Sequence, residues 1–187
     1  MRIVGGRFKG QALAGLGKGD AAAHLRPTSD KVRESLFNIL EHGDYPPLEG
    51  ARVLDLFAGT GALGFEALSR GAARVLFVDD GAKARALIRE NTDRLGAIGP
   101  TKIYRRDAAR LGENHGAPYD LVFLDPPYGK GLGERALASA RAGGWLAPGA
   151  VVVWEEGGAI TAPPWLAAAA ERRYGETWIR LFRAVDG

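Results

Sequence analysis

The 187-residue sequence has no cysteine, one methionine and one glutamine. Without thiols there is no disulfide framework and no thiolate-bound metal, so any chemistry falls to oxygen, nitrogen and backbone groups. Histidine is nearly as scarce. His24, His42 and His115 are scattered and share no ligand spacing with carboxylates, so no metal site is expected. Ser29 and Ser35 lack the setting of a nucleophile elbow, which argues against a hydrolase. No apolar run approaches a membrane span, and Met1 to Gly6 lacks the apolar core of a signal peptide. A cytoplasmic protein with no membrane partner is expected, and the length suits one globular domain.

Net charge is only +3, but it is unevenly placed. Residues 1–33 carry seven basic side chains against Asp20 and Asp30, a local +5 that leaves the rest of the chain at −2. A basic arm on a nearly neutral body suits a polyanion, because neutralising phosphates releases counterions whatever the sequence. A solvated basic edge accounts for the same charges equally well.

The pattern of elements splits in two. Glycines interrupt Arg2 to Leu13, which reads as a small hairpin or extended arm, and a flexible Gly/Ala stretch follows over Gly15 to Ala23. Thr28 or Ser29 then caps a helix whose buried face is expected at Val32, Leu36, Ile39 and Leu40. From residue 51 strands alternate with helices: apolar runs at 51–57, 74–79, 101–105, 120–125 and 150–155, with helices at 62–69, 82–95 and 132–142. Continuous apolar runs mark strands covered on both faces, as in a parallel α/β sheet. Segments 171–174 and 177–184 flank Gly175-Glu176 and read as a closing antiparallel hairpin. Residues 1–45 are therefore expected to form a basic arm and helix serving as an extension, and 46–187 the α/β domain.

Between the first strand and its helix lies Asp55-Leu56-Phe57-Ala58-Gly59-Thr60-Gly61-Ala62-Leu63-Gly64. Gly59, Gly61 and Gly64 satisfy G-x-G-x-x-G, and Asp79 ends the second strand twenty residues after Gly59. Both features suit a dinucleotide, so a nicotinamide-dependent oxidoreductase must be weighed. Asp55 points elsewhere: before the first glycine it crowds a pyrophosphate but can accept a hydrogen bond from an ammonium or a positioning water. S-adenosyl-L-methionine carries an ammonium, a ribose and an adenine, and no phosphate. On that reading Asp55 and the backbone of Phe57, Ala58, Gly59, Thr60 and Gly61 hold the methionine part. Asp79 or its neighbour Asp80 holds the ribose, and Asp107 with Ala108 the adenine end. A helix N-cap explains Asp107 nearly as well.

Asp125-Pro126-Pro127-Tyr128 ends the fourth strand at the carboxyl edge of the sheet, where open α/β proteins bind ligands. Two prolines fix a rigid turn and stop the ladder. A planar exocyclic amine is a poor nucleophile because its lone pair is delocalised into the ring. The Asp125 carboxylate and the Pro126 carbonyl can each accept one of its N–H bonds and so free the lone pair, while Tyr128 offers a face for an extruded base. Asp125 can also take the proton released on transfer. Glu155-Glu156 end a later strand and read by default as solvated loop charge; Trp145, Trp154, Trp165 and Trp178 read as packing residues.

The glycine turn and the tetrapeptide resemble class I methyltransferases acting on amino nitrogens. Arg2-Ile3-Val4-Gly5-Gly6, Arg26-Pro27-Thr28-Ser29-Asp30, Leu36-Phe37-Asn38-Ile39-Leu40 and Val53-Leu54-Asp55-Leu56-Phe57-Ala58-Gly59 sharpen the match. Together they resemble the RsmD family, the bacterial 16S ribosomal RNA guanine-N2 methyltransferases. The resemblance implies a Rossmann-like, mostly parallel seven-stranded sheet with one antiparallel strand, and methyl transfer that leaves S-adenosyl-L-homocysteine. It implies action on 16S rRNA within the 30S subunit or its precursors, and a monomer is expected. Candidate RNA contacts are Arg2, Arg7, Lys9, Arg26, Thr28, Arg33 and Lys130. An adenine-N6 methyltransferase uses the same tetrapeptide and stays open, as does a catalytically idle RNA-binding protein.

Overall fold

The computed structural model describes residues 1–16 and 28–185. Helix α1 (Asp30–His42) is capped by the Ser29 hydroxyl, which accepts from the Val32 N–H, and Asp30 complements the helix dipole in its first turn. Its buried face is Arg33, Leu36, Phe37 and Leu40. Val32 and Ile39 pack only at the margin of the core, so the expected stripe is rotated toward Phe37 and Arg33. Arg33 qualifies for burial because carboxylates and carbonyls surround it.

The alternating part follows as β1 (Arg52–Leu56), α2 (Ala62–Ser69), β2 (Arg74–Val78), α3 (Ala82–Arg94) and β3 (Thr101–Tyr104). A 3₁₀ turn at Ala108–Arg110 leads to β4 (Tyr119–Leu124), α4 (Leu132–Ala142), β5 (Leu146–Glu156), β6 (Leu166–Tyr174) and β7 (Thr177–Ala184). All seven strands form one sheet in the order β3-β2-β1-β4-β5-β7-β6, with β7 antiparallel to both its neighbours. This is the expected mostly parallel sheet with a C-terminal antiparallel hairpin. Strand β6 begins earlier than its sequence suggests, running back through Ala167 to Ala170. Alanine has little strand preference of its own, and pairing with β7 supplies it.

Side chains alternate across the sheet and build a core on each face. Val53, Val75, Phe77, Phe123, Val153 and Leu181 pack with α1, α2 and α3; Leu54, Leu76, Val122, Val152, Trp154 and Phe182 pack with α4. The chain steps from β1 outward to β2 and β3, then returns to β4 on the other side of β1. Right-handed crossovers in opposite directions place the helices on opposite faces, and a crevice opens where the carboxyl ends of β1 and β4 adjoin. Leu56 pairs with Leu124 there, so Phe57 and Asp125 leave the sheet side by side.

The N-terminal arm docks on this frame through one carboxylate. Glu66, on α2 and fully buried, accepts from the Val4 N–H (3.0 Å), Gly5 N–H (3.0 Å), Arg33 Nε (3.1 Å) and Arg70 Nε (3.0 Å). Ile3 and Leu13 join the same core cluster as Leu36 and Phe37. Further along, Asn91 of α3, also fully buried, accepts from Ala14 N–H (2.6 Å) and donates to Ala14 O and Thr60 O. Among the described residues no helix is long and apolar enough to cross a membrane. Removing one partner of a buried ion network strands the others, at a typical cost of about 3–5 kcal/mol. Glu66→Ala is expected to lower unfolding stability by about that much in urea titration; a loss under about 1 kcal/mol, the worth of a surface pair, would show the hub to be dispensable.

Candidate active site

The three glycines of the motif after β1 do different work. Gly59 has φ +59° and opens onto free space, where a Cβ would meet nothing within 4 Å. A Cβ on Gly61 would stand 2.6 Å from the Phe65 ring, and one on Gly64 would stand 2.4 Å from the Phe77 ring. Gly61 and Gly64 therefore let α2 close on the sheet, and Gly59 leaves backbone exposed toward the crevice. Phe57 also sits at positive φ (+56°), a strained conformation for a bulky residue.

Carboxylates hold this turn from both sides. Asp55 Oδ2 accepts from the Gly64 N–H at 3.1 Å, and Asp79 accepts from Gly59 N–H (3.0 Å) and Gly81 N–H (2.8 Å). Burial raises the Asp55 carboxyl well above the usual carboxylate range despite that bond, and the charge of Asp79 adds to the rise. Asp79 is raised too, again by burial first, while its two backbone bonds oppose the shift. Asp80 is exposed beside it. Asp55 occupies an N–H in the first turn of α2 and brings negative charge to the helix end that a pyrophosphate would need, which argues against a dinucleotide. Asp107 is exposed and caps the 3₁₀ turn by accepting from Ala109 N–H (2.9 Å), with Ala108 buried beside it.

Across the crevice, Asp125 is half-buried, and its carboxyl is raised well above the usual range by burial, then by Glu155, Asp55 and Glu156. Tyr128 is 44% exposed, and its hydroxyl donates to Glu155 Oε1 (3.2 Å) and lies 3.3 Å from Thr177 Oγ1. Its phenol is raised, first by burial. The ring lies over Gly157, where a Cβ would stand 2.6 Å from Cδ2.

Glu155 and Glu156 correct the expectation of solvated loop charge. They are 9% and 5% exposed, at the end of β5. Glu155 also accepts from the Thr28 hydroxyl at 2.8 Å, and burial raises its carboxyl while the Thr28 and Tyr128 bonds oppose the rise. Glu156 Oε1 accepts from Gly129 N–H (3.2 Å) and Gly157 N–H (3.0 Å). The pair thus anchors the loop that follows the tetrapeptide. Only their place at the carboxyl end of a strand beside β4 hints at this in the sequence.

The candidate RNA contacts divide. Arg33 is fully buried, paired with Glu66 and Asp30 and donating to Thr28 O and Arg2 O, so it is a structural cation and cannot meet a phosphate. Thr28 is buried at 8% exposure and committed to Glu155, which rules out a surface contact in this conformation. Arg26 lies outside the described residues. Arg2, Arg7, Lys9 and Lys130 are exposed. Arg7 and Lys9, however, line a groove with Ser69 and Gly71 at the amino edge of the sheet, away from Tyr128. Lys130 alone of the exposed set sits beside the tetrapeptide.

Residues 1–183 match the family described as conserved hypothetical protein 95. The chain belongs to this family. It is 37% identical to the ribosomal RNA small subunit methyltransferase D of Escherichia coli (strain K12), over 98% of this chain and 89% of that protein. The protein of the same name from Haemophilus influenzae is 35% identical, over 83% of this chain and 78% of its own length. The solved structure of yhhF from Escherichia coli superposes with a TM-score of 0.82 at 30% identity, covering 100% of this chain and 99% of that one. The resemblance drawn from the N-terminal blocks and the glycine turn is thereby shown, and the fold is that of the class I methyltransferases.

Replacing Glu155 by Gln removes a negative charge beside Asp125 and so favours ionisation of Asp125. Its carboxyl titration, followed by carbon NMR, is expected to move to lower pH. An unmoved titration would mean that burial alone sets it.

Proposed function

We propose that this chain transfers a methyl group from S-adenosyl-L-methionine to the exocyclic N2 amine of a specific guanine in 16S rRNA. The observation that carries the reading is the adjacency of two strand ends: a glycine turn that opens onto free space at Gly59, and a raised carboxylate with a rigid proline turn at Asp125-Pro126-Pro127-Tyr128. The names of the relatives, ribosomal RNA small subunit methyltransferases, support ribosomal RNA as the acceptor. The 30S subunit or its precursors and a monomeric enzyme belong to the same proposal, as does the arm over residues 1–45 as an RNA-binding extension of the domain formed by 46–187.

The residues fit the methyl donor by charge as well as space. A phosphate-free cationic ligand suits a crevice whose fixed groups are Asp55 and Asp79 and whose glycine opens onto room. Asp55 and the backbone of Phe57, Ala58, Gly59, Thr60 and Gly61 would hold the methionine portion. Asp79 keeps lone pairs for the ribose beside the turn it braces, with the exposed Asp80 next to it, and Asp107 with Ala108 would hold adenine. When bound, the donor supplies an electrophilic methyl on a sulfonium.

The chain's own part is positioning and proton transfer. Asp125 and the Pro126 carbonyl accept the two N–H bonds of the guanine amine and turn its lone pair toward the methyl. The prolines keep that carbonyl from moving. Tyr128, held by Glu155, offers its ring to the extruded base. As the N–C bond forms and the S–C bond breaks, the amine nitrogen becomes cationic and Asp125 takes its proton. A carboxylate raised by burial and neighbouring charge is a stronger base than a solvated one. In-line displacement demands little else, so geometry carries most of the rate.

The decisive assay compares labelled-methyl incorporation into under-modified 30S subunits, naked 16S rRNA and DNA, with nucleoside analysis of the product. N2-methylguanosine in rRNA is expected; N6-methyladenine would sink the reading. Calorimetry should detect S-adenosylhomocysteine and not NAD, and the reverse would make the chain an oxidoreductase. Asp125→Ala is expected to abolish transfer while S-adenosylhomocysteine still binds, and turnover at the wild-type rate would reduce the tetrapeptide to a strand stop. Because Asp125 must be ionised to accept the proton, kcat/KM should fall as pH drops through its raised pKa, above the usual carboxylate value of about 3.9.

A further inference from the structure

Two of the exposed cations expected to hold RNA lie at the wrong end of the sheet, since Arg7 and Lys9 stand by Ser69 and Gly71 at its amino edge. The carboxyl edge has its own basic groups. Lys130 follows Tyr128, and Arg172 and Arg173 stand near the tip of the β6–β7 hairpin. Because β7 runs antiparallel to β5, its first residues stand beside the last of β5: Glu156 pairs with Trp178, and Thr177 Oγ1 is 3.3 Å from the Tyr128 hydroxyl.

Arg173 faces Trp178 directly across the ladder, and Glu171 faces Arg180. The guanidinium carbons of Arg173 and Arg180 lie 5.4 and 5.2 Å from the centre of the Trp178 indole. Arg180 is held by Glu171 (2.8 Å) and the Gly158 carbonyl (3.1 Å), and its side chain is only 14% exposed. Arg173 differs. It is exposed, its Nε donates to Gly175 O at 2.9 Å, and among the described residues no carboxylate pairs with it. A guanidinium spread over an aromatic ring presents one flat face to solvent, with donors around its rim.

We propose that the Arg173–Trp178–Arg180 stack is a contact for single-stranded RNA, taking a nucleotide that flanks the base presented to Tyr128. The neighbouring base continues the stack on the outer face of Arg173 or on Trp178, and its phosphate meets the guanidinium rim and Lys130. Stacking on aromatic and arginine planes beside basic groups is how proteins hold unpaired nucleotides without reading their edges. An extruded target base leaves its neighbours unstacked, and this surface lies one residue from the Tyr128–Thr177 contact. The inference rests on the proposed transfer to RNA and adds a binding surface to it.

Arg173 is exposed, so its variants are expected to fold. Arg173→Glu should raise KM for the RNA substrate about tenfold, leave kcat at saturation and S-adenosylhomocysteine affinity near wild type, and flatten the salt dependence by about one ion. Arg173→Lys, which keeps the charge and loses the plane, should fall between. Trp145 and Trp154 are buried, and half-buried Trp165 stands at the other edge of the sheet, beside Leu166 where β6 pairs with the end of β7, so quenching of tryptophan emission by a single-stranded rRNA fragment should come from Trp178 and be largely lost in Trp178→Phe. Wild-type KM and salt slope in Arg173→Glu, or undiminished quenching in Trp178→Phe, would overturn the contact while transfer to RNA stands. A wild-type enzyme that methylates no RNA would instead overturn the functional reading, and this inference with it.

Discussion

A carboxylate with no exposure survives only where donors surround it, and Glu66 is where three separate parts of this chain meet that demand. The backbone of the arm, Arg33 of α1 and Arg70 at the C-cap of α2 each supply N–H groups. None of the three can shift alone without stranding a charge. Arg33 also donates to the Thr28 carbonyl, and the Thr28 hydroxyl donates to Glu155. A continuous chain of polar contacts thus runs from the arm, through the start of α1, to the carboxylate that holds Tyr128.

The carboxyl edge has the opposite character. Asp55, Asp79, Asp125 and Glu155 are all raised by burial, and the charges of Asp55, Glu155 and Glu156 add to the rise at Asp125. Each of these groups favours the folded state most when protonated, so their ionisation as the pH rises above the usual carboxylate range weakens the fold where the crevice lies. Such an arrangement suits the two cationic species of the proposed transfer: a cationic ligand at Asp55, and an amine that becomes cationic as it accepts a methyl at Asp125. The cluster is poorly suited to an anionic ligand, which argues against a dinucleotide at the same glycine pattern.

Much of this was legible in the sequence because continuous apolar runs and glycine breaks are local signals. The strand–turn–helix around Gly59, the strand stop at Asp125 and the closing hairpin all stand where their residues suggest. What depends on tertiary contact was less visible. Arg33 reads as a surface cation until Glu66 is brought against it from 33 residues away. Glu155-Glu156 read as solvated until Thr28, Tyr128 and Gly129 close over them. The alanines of β6 carry no strand signal, and only the β7 ladder makes them one. The rotated face of α1 has the same origin, since a buried arginine defeats a search for apolar spacing.

Charge distribution along the chain is also a poor guide to charge distribution in space. The seven basic residues of the first 33 look like one arm, yet those the structure describes end in different places: Arg33 inside the core, Arg7 and Lys9 at the amino edge. The hairpin residues Glu171, Arg172, Arg173, Glu176 and Arg180 carry a net charge of only +1 and do not stand out as basic. Pairing with β7 then commits Glu171 to Arg180 and leaves Arg173 over an indole. Glu171 therefore neutralises the arginine already shielded from solvent, while the exposed one keeps its charge. At the edge where Tyr128 stands, exposed positive charge comes from Arg173 and Lys130, whereas Arg7 and Lys9 stand at the opposite edge of the sheet.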